Sequence, residues 1–259
     1  MRKSVSLKLL SAPVSNHKLI KNLNIKIPVL TFSLNFAHSD LSGYNVCPFA
    51  KRLVKPHKNS AHLSNCSDLC VGYRGGAQRY PAVMKSRIRK TKMFYENRSL
   101  FMQWLISDIE KAIDFAIEHS KIVSFRLNAY SDIKWETVPV TYNEIKYDNI
   151  FDIFPDIIFY DYSKNPSRKH PKQYSTTYSY YGNEDGFNSA KNSGRNIAVV
   201  FEELPADRKF RGLKVVDGDQ TDLRTPENDG NGVIVGLKFK GSKKGLAEGI
   251  KEGFVIPRA

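Results

Sequence analysis

The chain has no apolar run long enough to span a membrane, no GxxxxGK[ST] phosphate loop and no Gly-x-Gly-x-x-Gly turn. These absences argue against a helical integral membrane protein, a P-loop nucleotide hydrolase and a standard dinucleotide-binding enzyme. Its six histidines are scattered, and no nucleophile–histidine–carboxylate set can be assembled from them. Acidic residues are scarce: 26 Asp and Glu stand against 40 Lys and Arg, for a net charge of +14. Cysteine is scarcer still, at three residues. An odd count fits disulfide pairing poorly and suggests reduced thiols in an intracellular setting.

What is present suffices for a sizeable core. The 259 residues are 41% hydrophobic and 12% aromatic, ordinary values for a folded globular chain. The opening resembles a secretory leader, with Arg2 and Lys3 ahead of an apolar patch. Ser6 and Lys8 interrupt that patch, so the reading is cytoplasmic. Residues 1–27 are polar and weakly patterned and are expected to form an arm packed on the surface. Residues 28–259 are expected to form one α/β domain carrying a basic, cysteine-bearing insertion at 43–80.

Pro28–Phe36 alternates β-branched and aromatic residues with small polar ones and reads as the first strand. From Pro81 to His119, Phe94, Leu100, Phe101, Trp104, Leu105, Ile109, Ile113 and Ile117 recur mainly at helical spacing. Asn97 or Ser99 divides that stretch into two helices. Further strands are read at Val123–Ala129, Asp156–Tyr162, Tyr174–Tyr181, Asn196–Glu202, Leu213–Asp217 and Gly232–Phe239, and helices at Tyr142–Phe154 and Glu184–Lys191. Ile197-Ala198-Val199-Val200-Phe201 is apolar throughout, which suits a parallel strand covered on both faces. The expected class is α/β, a mostly parallel sheet or incomplete barrel with flanking helices and a cysteine-bearing N-terminal loop. A mixed α+β sheet is the alternative.

Polar residues gather after three of these strands: Asn128, Ser131 and Asp132; then Asp161, Ser163 and Lys164; then Asp217, Asp219 and Asp222. In α/β folds, sites assemble outside the carboxyl ends of the strands, although turn chemistry alone also puts Asp, Asn and Ser there. Asp132, Asp161, Lys164 and Asp217 are therefore candidate catalytic groups. Arg126, Asn128, Ser131, Asp219 and Asp222 are candidate cofactor-binding ones. Arg126, within a buried-looking strand, needs an anionic partner, in Asp132, Asp161 or a ligand carboxylate. The carboxylates of Asp217, Asp219 and Asp222 can converge on a hard cation such as magnesium. A capped turn, with Asp222 paired to Arg224 or a nearby lysine, is the other reading.

Cys47, Cys66 and Cys70 stand within two dozen residues of one another. Three thiolates meeting at one point suit zinc, completed by His57 or His62. They equally suit an iron–sulfur cubane (4Fe-4S) with one iron left open. Between Lys51 and Arg98, twelve basic residues face only Asp68 and Glu96. That surplus suits nucleic acid, with Arg74, Arg79, Lys85, Arg87, Arg89, Lys90 and Lys92 as candidate contacts. It also suits an anionic cluster, and a solvated basic face is the plainest reading. Tyr174, Tyr178, Tyr180 and Tyr181, among Lys169, Lys172 and Lys191, offer a weaker stacking platform for single strands.

Several of these segments together resemble a known family. Cys47-Pro48, Cys66 and Cys70, Gly72-Tyr73-Arg74-Gly75-Gly76 and Tyr80-Pro81-Ala82-Val83 are similar to the CP…C…C…G…P-V signature of a poorly characterised family of bacteriophage and plasmid proteins, the phage gene-product-eighty-eight-like proteins. Residues 126–136, 154–164, 196–201, 215–224 and 232–237 extend the likeness across Leu30 to Val255. In layout the family is similar to radical S-adenosylmethionine iron–sulfur proteins. The long gap after Cys47 and Val71 after the last cysteine depart from that pattern. The resemblance implies an iron–sulfur cluster on the three cysteines, S-adenosylmethionine as a further ligand and, for a viral protein, the host-cell cytoplasm.

Overall fold

The structure is a computed structural model and describes residues 5–13, 18–48 and 80–258. Its strands are β1 Leu10–Ser11, β2 Val29–Leu34, β3 Ile122–Arg126, β4 Val140–Tyr142, β5 Ile145–Tyr147, β6 Ile158–Ser163, β7 Tyr174–Ser179, β8 Ile197–Phe201, β9 Lys209–Phe210, β10 Leu213–Asp217, β11 Ile234–Lys238 and β12 Val255–Ile256. The helices are α1 Ser39–Ser42, α2 Pro81–Glu96, α3 Arg98–Glu118, α4 Glu184–Asn192, α5 Pro226–Asp229 and α6 Lys243–Lys251.

One ten-stranded sheet runs in the order β1-β2-β3-β6-β7-β8-β11-β10-β9, with β12 beside β8. The seven strands from β2 to β10 are parallel, and β1 and β9 pair antiparallel at the two edges. The expected mostly parallel α/β sheet therefore forms, and among the described residues it stays open rather than closing into a barrel. Every residue of β2 is buried, as a strand covered on both faces requires.

Phe32, Phe125, Phe159 and Tyr174 are register partners across β2, β3, β6 and β7. This aromatic row packs in one core with Phe94 of α2 and Phe101, Leu105 and Ile109 of α3. Asn97 separates the two helices, ending α2 and capping α3 by accepting from the Leu100 amide (3.3 Å). A second core gathers Tyr178, Phe187, Ile197, Val199, Phe201, Val215 and Ile234 around β8 and α4.

Two expectations change. Residues 142–154 do not form one helix: β4 and β5 form a hairpin that turns at Asn143 and Glu144, with φ of 48° and 65°, and only a short 3-10 helix follows at Ile150–Asp152. Two consecutive left-handed residues make a two-residue hairpin turn and stop a helix. Within the N-terminal arm, Leu10–Ser11 forms the edge strand and a 3-10 helix at Leu19–Leu23 brings Asn22 to full burial against the sheet.

Candidate functional site at the carboxyl edge of the sheet

Strands β3, β6 and β7 end side by side, and there a seam of polar residues continues the aromatic row. Asn128 shapes the loop that follows β3 and also donates from Nδ2 to Tyr174 Oη (3.3 Å). Its Oδ1 accepts from Ser131 Oγ (2.7 Å), the Ile133 amide (2.9 Å) and Trp135 Nε1 (3.2 Å). Its own amide donates to Asp161 Oδ1 (2.9 Å). Asp132, at the end of that loop, accepts from Ser163 Oγ (3.2 Å) and the Lys164 amide (2.8 Å). The first two strand-end clusters read from the sequence are thus one hydrogen-bonded unit.

Arg168 completes it. The guanidinium, buried from solvent, donates to Asp132 Oδ1 (2.8 Å) and forks onto Glu136 (2.9 and 2.7 Å). The sequence reading passed over Arg168 because it lies in a turn-rich link with no periodic signal. Lys164 Nζ donates to Ser179 Oγ (3.1 Å) and lies 4.7 Å from the centre of the Tyr181 ring.

Asp161 is fully enclosed (0% exposed side chain) and accepts from the Asn128 amide and from Tyr174 Oη (3.1 Å). Burial pushes its carboxyl up to about 7, against the opposing pull of Arg126, whose Nε lies 3.8 Å away. Burial raises Asp132 as well, with Arg168 opposing. A carboxyl poised near neutrality can hold or release a proton there. Being enclosed, Asp161 can act on a ligand only through Asn128, Tyr174 and Arg126, which makes it a positioning residue.

Arg126 turns to the other face of the sheet. Nη1 donates to Asp222 (2.9 Å), and its guanidinium carbon lies 4.9 Å from the Tyr162 ring centre. Burial would weaken its hold on a proton, but Asp222, with Tyr162, Tyr160 and Asp161, more than reverses this. Asp222 also accepts from Tyr160 Oη (3.3 Å). The third strand-end cluster therefore divides. Asp222 serves Arg126, Asp217 caps the Asp219 amide (3.0 Å), and Asp219 pairs with Lys240 (2.5 Å). Among the described residues, no three His, Cys, Asp or Glu side chains gather so as to hold a metal ion.

Cys47 is half-buried near the same edge, in the chain that follows β2, and its amide donates to Asn45 Oδ1 (3.0 Å). The preceding carbonyl, of Val46, accepts from the Asp132 amide (2.8 Å), which ties this chain to the polar seam. Cys66, Cys70, Arg74 and Arg79 lie outside the described residues.

The cations of α2 separate by face. Lys85, Arg89 and Lys92 are exposed, whereas Arg87 and Lys90 are buried. Arg87 stacks on Tyr130 (4.4 Å), and burial lowers Lys90 to about 8, helped by Arg89. Tyr174, Tyr178 and Tyr180 are core residues of β7 and its extension.

A family model described as Gene product 88 (GP88) matches residues 7–258. The chain belongs to that family. The likeness read from the motifs is thus borne out as a phage-type gene-product family, over a longer span than Leu30 to Val255. No match was found among curated proteins or among solved structures. Among the described residues, no helix is long and apolar enough to cross a membrane.

Proposed function

We propose that this member of the GP88 family is an iron–sulfur protein. Its cluster would be held by Cys47, Cys66 and Cys70 beside the carboxyl edge of the parallel sheet. The observation that carries the reading is the Asp132–Val46 hydrogen bond (2.8 Å), which joins the chain bearing the first cysteine to the polar seam. A donor set of three soft thiolates suits iron as it suits zinc, and it leaves one iron of a cubane open to a further ligand. With S-adenosylmethionine on that iron, such a cluster supplies reductive, radical-type chemistry. The chain's own part is to position: Asn128 and Arg168 fix the 128–136 loop, Lys164 sets its ammonium against Ser179 and Tyr181, and Asp161 holds a proton beneath Asn128 and Tyr174.

The test is purification without oxygen, followed by iron and sulfide assay and a visible spectrum. About four iron and four sulfide per chain, lost in Cys47→Ala and in Cys66→Ala, is the expected outcome. A colourless protein carrying one zinc would overturn the reading. Addition of dithionite and S-adenosylmethionine then tests the finer claim, with release of 5′-deoxyadenosine expected.

A further inference from the structure

The exposed cations of α2 do not stand alone. Lys85, Arg89 and Lys92 follow one another at four- and three-residue steps and so form one stripe about 10 Å long. The stripe borders a groove of about 630 Å³ whose floor includes Leu100 and Trp104 of α3. From the N-terminal side, Lys8 holds its ammonium 4.5 Å from the centre of the Trp104 ring. Arg89 Nη2 donates to the Lys8 carbonyl (3.1 Å), fixing this fourth cation to the helix. Glu96 is the one acid among the described lining residues, and it accepts from Tyr44 Oη (2.9 Å).

We propose that this groove binds single-stranded nucleic acid. Four cations around a half-buried indole combine phosphate attraction with a flat ring on which an unstacked base can lie. A duplex keeps its bases inside the stack and offers no free face to the ring, so stacking on Trp104 favours single strands. An acidic protein would satisfy the cations but would leave the indole without a stacking partner. The proposal does not depend on the cluster.

The chain has two tryptophans, and Trp135 is fully buried, so quenching by a ligand reports on Trp104. The experiment titrates the full-length protein with oligo(dT), a duplex of equal length and polyglutamate at several salt concentrations. Anisotropy of a labelled oligonucleotide serves as a second readout. Quenching by oligo(dT) alone is expected, with log K falling against log salt at a slope of about −0.7 per phosphate engaged. The triple variant Lys85→Gln/Arg89→Gln/Lys92→Gln should flatten that slope by about 2. Its substitutions are all exposed, and an unchanged thermal melt would verify its fold. Trp104→Ala should weaken binding about tenfold or more while leaving the slope in place. The milder Trp104→Phe should keep most of the affinity and lose the quenching. Absence of binding at low salt, equal binding of duplex or polyglutamate, or an unaltered slope in the folded triple variant would each overturn the proposal.

Discussion

On one face of β2, β3 and β6, Phe32, Phe125 and Phe159 lie in register, with ring centres 5.9 and 5.4 Å apart. On the other face, Thr31 bonds Ser124 (2.8 Å), and Asn22 Nδ2 donates to Thr31 (2.7 Å) and Tyr160 (3.3 Å). The same three strands are thus held by non-directional burial on one side and by a hydrogen-bonded network on the other. Burial rewards any apolar partner of suitable shape. The network accepts only partners that satisfy it. Asn22 Oδ1 accepts from Thr221 Oγ1 (2.7 Å) and from the Asp222 and Leu223 amides (2.8 and 3.1 Å), so residues 199 apart in sequence meet at one side chain. The polar face therefore selects which segments dock, and the aromatic face supplies the bulk of the attraction.

The sharpest way to break this comparison is to damage each face and then attempt a repair. Phe125→Ala should cost about 3–5 kcal/mol through lost burial and the cavity left behind. Asp222→Ala should cost a similar amount, about 3–5 kcal/mol, because it strands the Arg126 charge inside the protein. The double variant Arg126→Met/Asp222→Leu, which removes both charges, should recover most of that loss in urea unfolding. If the double variant stays as unstable as Asp222→Ala, the polar face is held by something other than charge pairing.

A smaller effect, about 2–3 kcal/mol, is expected of Asn22→Ala, which leaves several buried donors without their acceptor. Its signature is spatial. Hydrogen exchange should quicken at the amides of Asp222 and Leu223 while α3 keeps its protection. Uniform loss of protection would mean that the two faces unfold as one and that the comparison fails.

The aromatic face was legible in the sequence and the polar face was not. Phe32, Phe125 and Phe159 lie in runs whose period announces strands, and each of the seven strands inferred from such runs formed. The hairpin at Val140–Tyr147 was misread because Tyr147, Ile150, Phe151 and Phe154, just after it, stand three and four residues apart as on a helix. Asn143, a residue tolerant of positive φ, was the turn signal to weigh against them. Asn22 stood in a segment with no period, and nothing local couples it to Thr221. The seam was half legible: strand-end polarity pointed to Asn128, Asp132, Asp161 and Lys164. The pairing of Arg168 with Asp132 and Glu136, like that of Arg126 with Asp222, arises only from tertiary contacts. Trp104 matched the helical apolar pattern, which does not reveal that its ring is half-buried at a groove.

The last prediction concerns the point where the two faces meet. Asp161 projects onto the aromatic face two residues beyond Phe159, yet its carboxylate lies 3.8 Å from Arg126 Nε of the polar one. In the folded chain its carboxyl titrates at about 7, against roughly 4 when unfolded. The folded state consequently binds more protons between those values. The stability that this proton contributes is complete below about pH 4 and is lost as the pH rises through 7. Relative to Asp161→Asn, the native chain should lose on the order of 2 kcal/mol between pH 5 and pH 8, read from urea midpoints. Taking the difference removes the carboxylates common to both proteins, many of which change in the opposite direction. Two parallel curves would mean that Asp161 is ionised throughout, held by Arg126 as part of the polar network. The boundary between the faces would then lie two residues earlier, at Phe159.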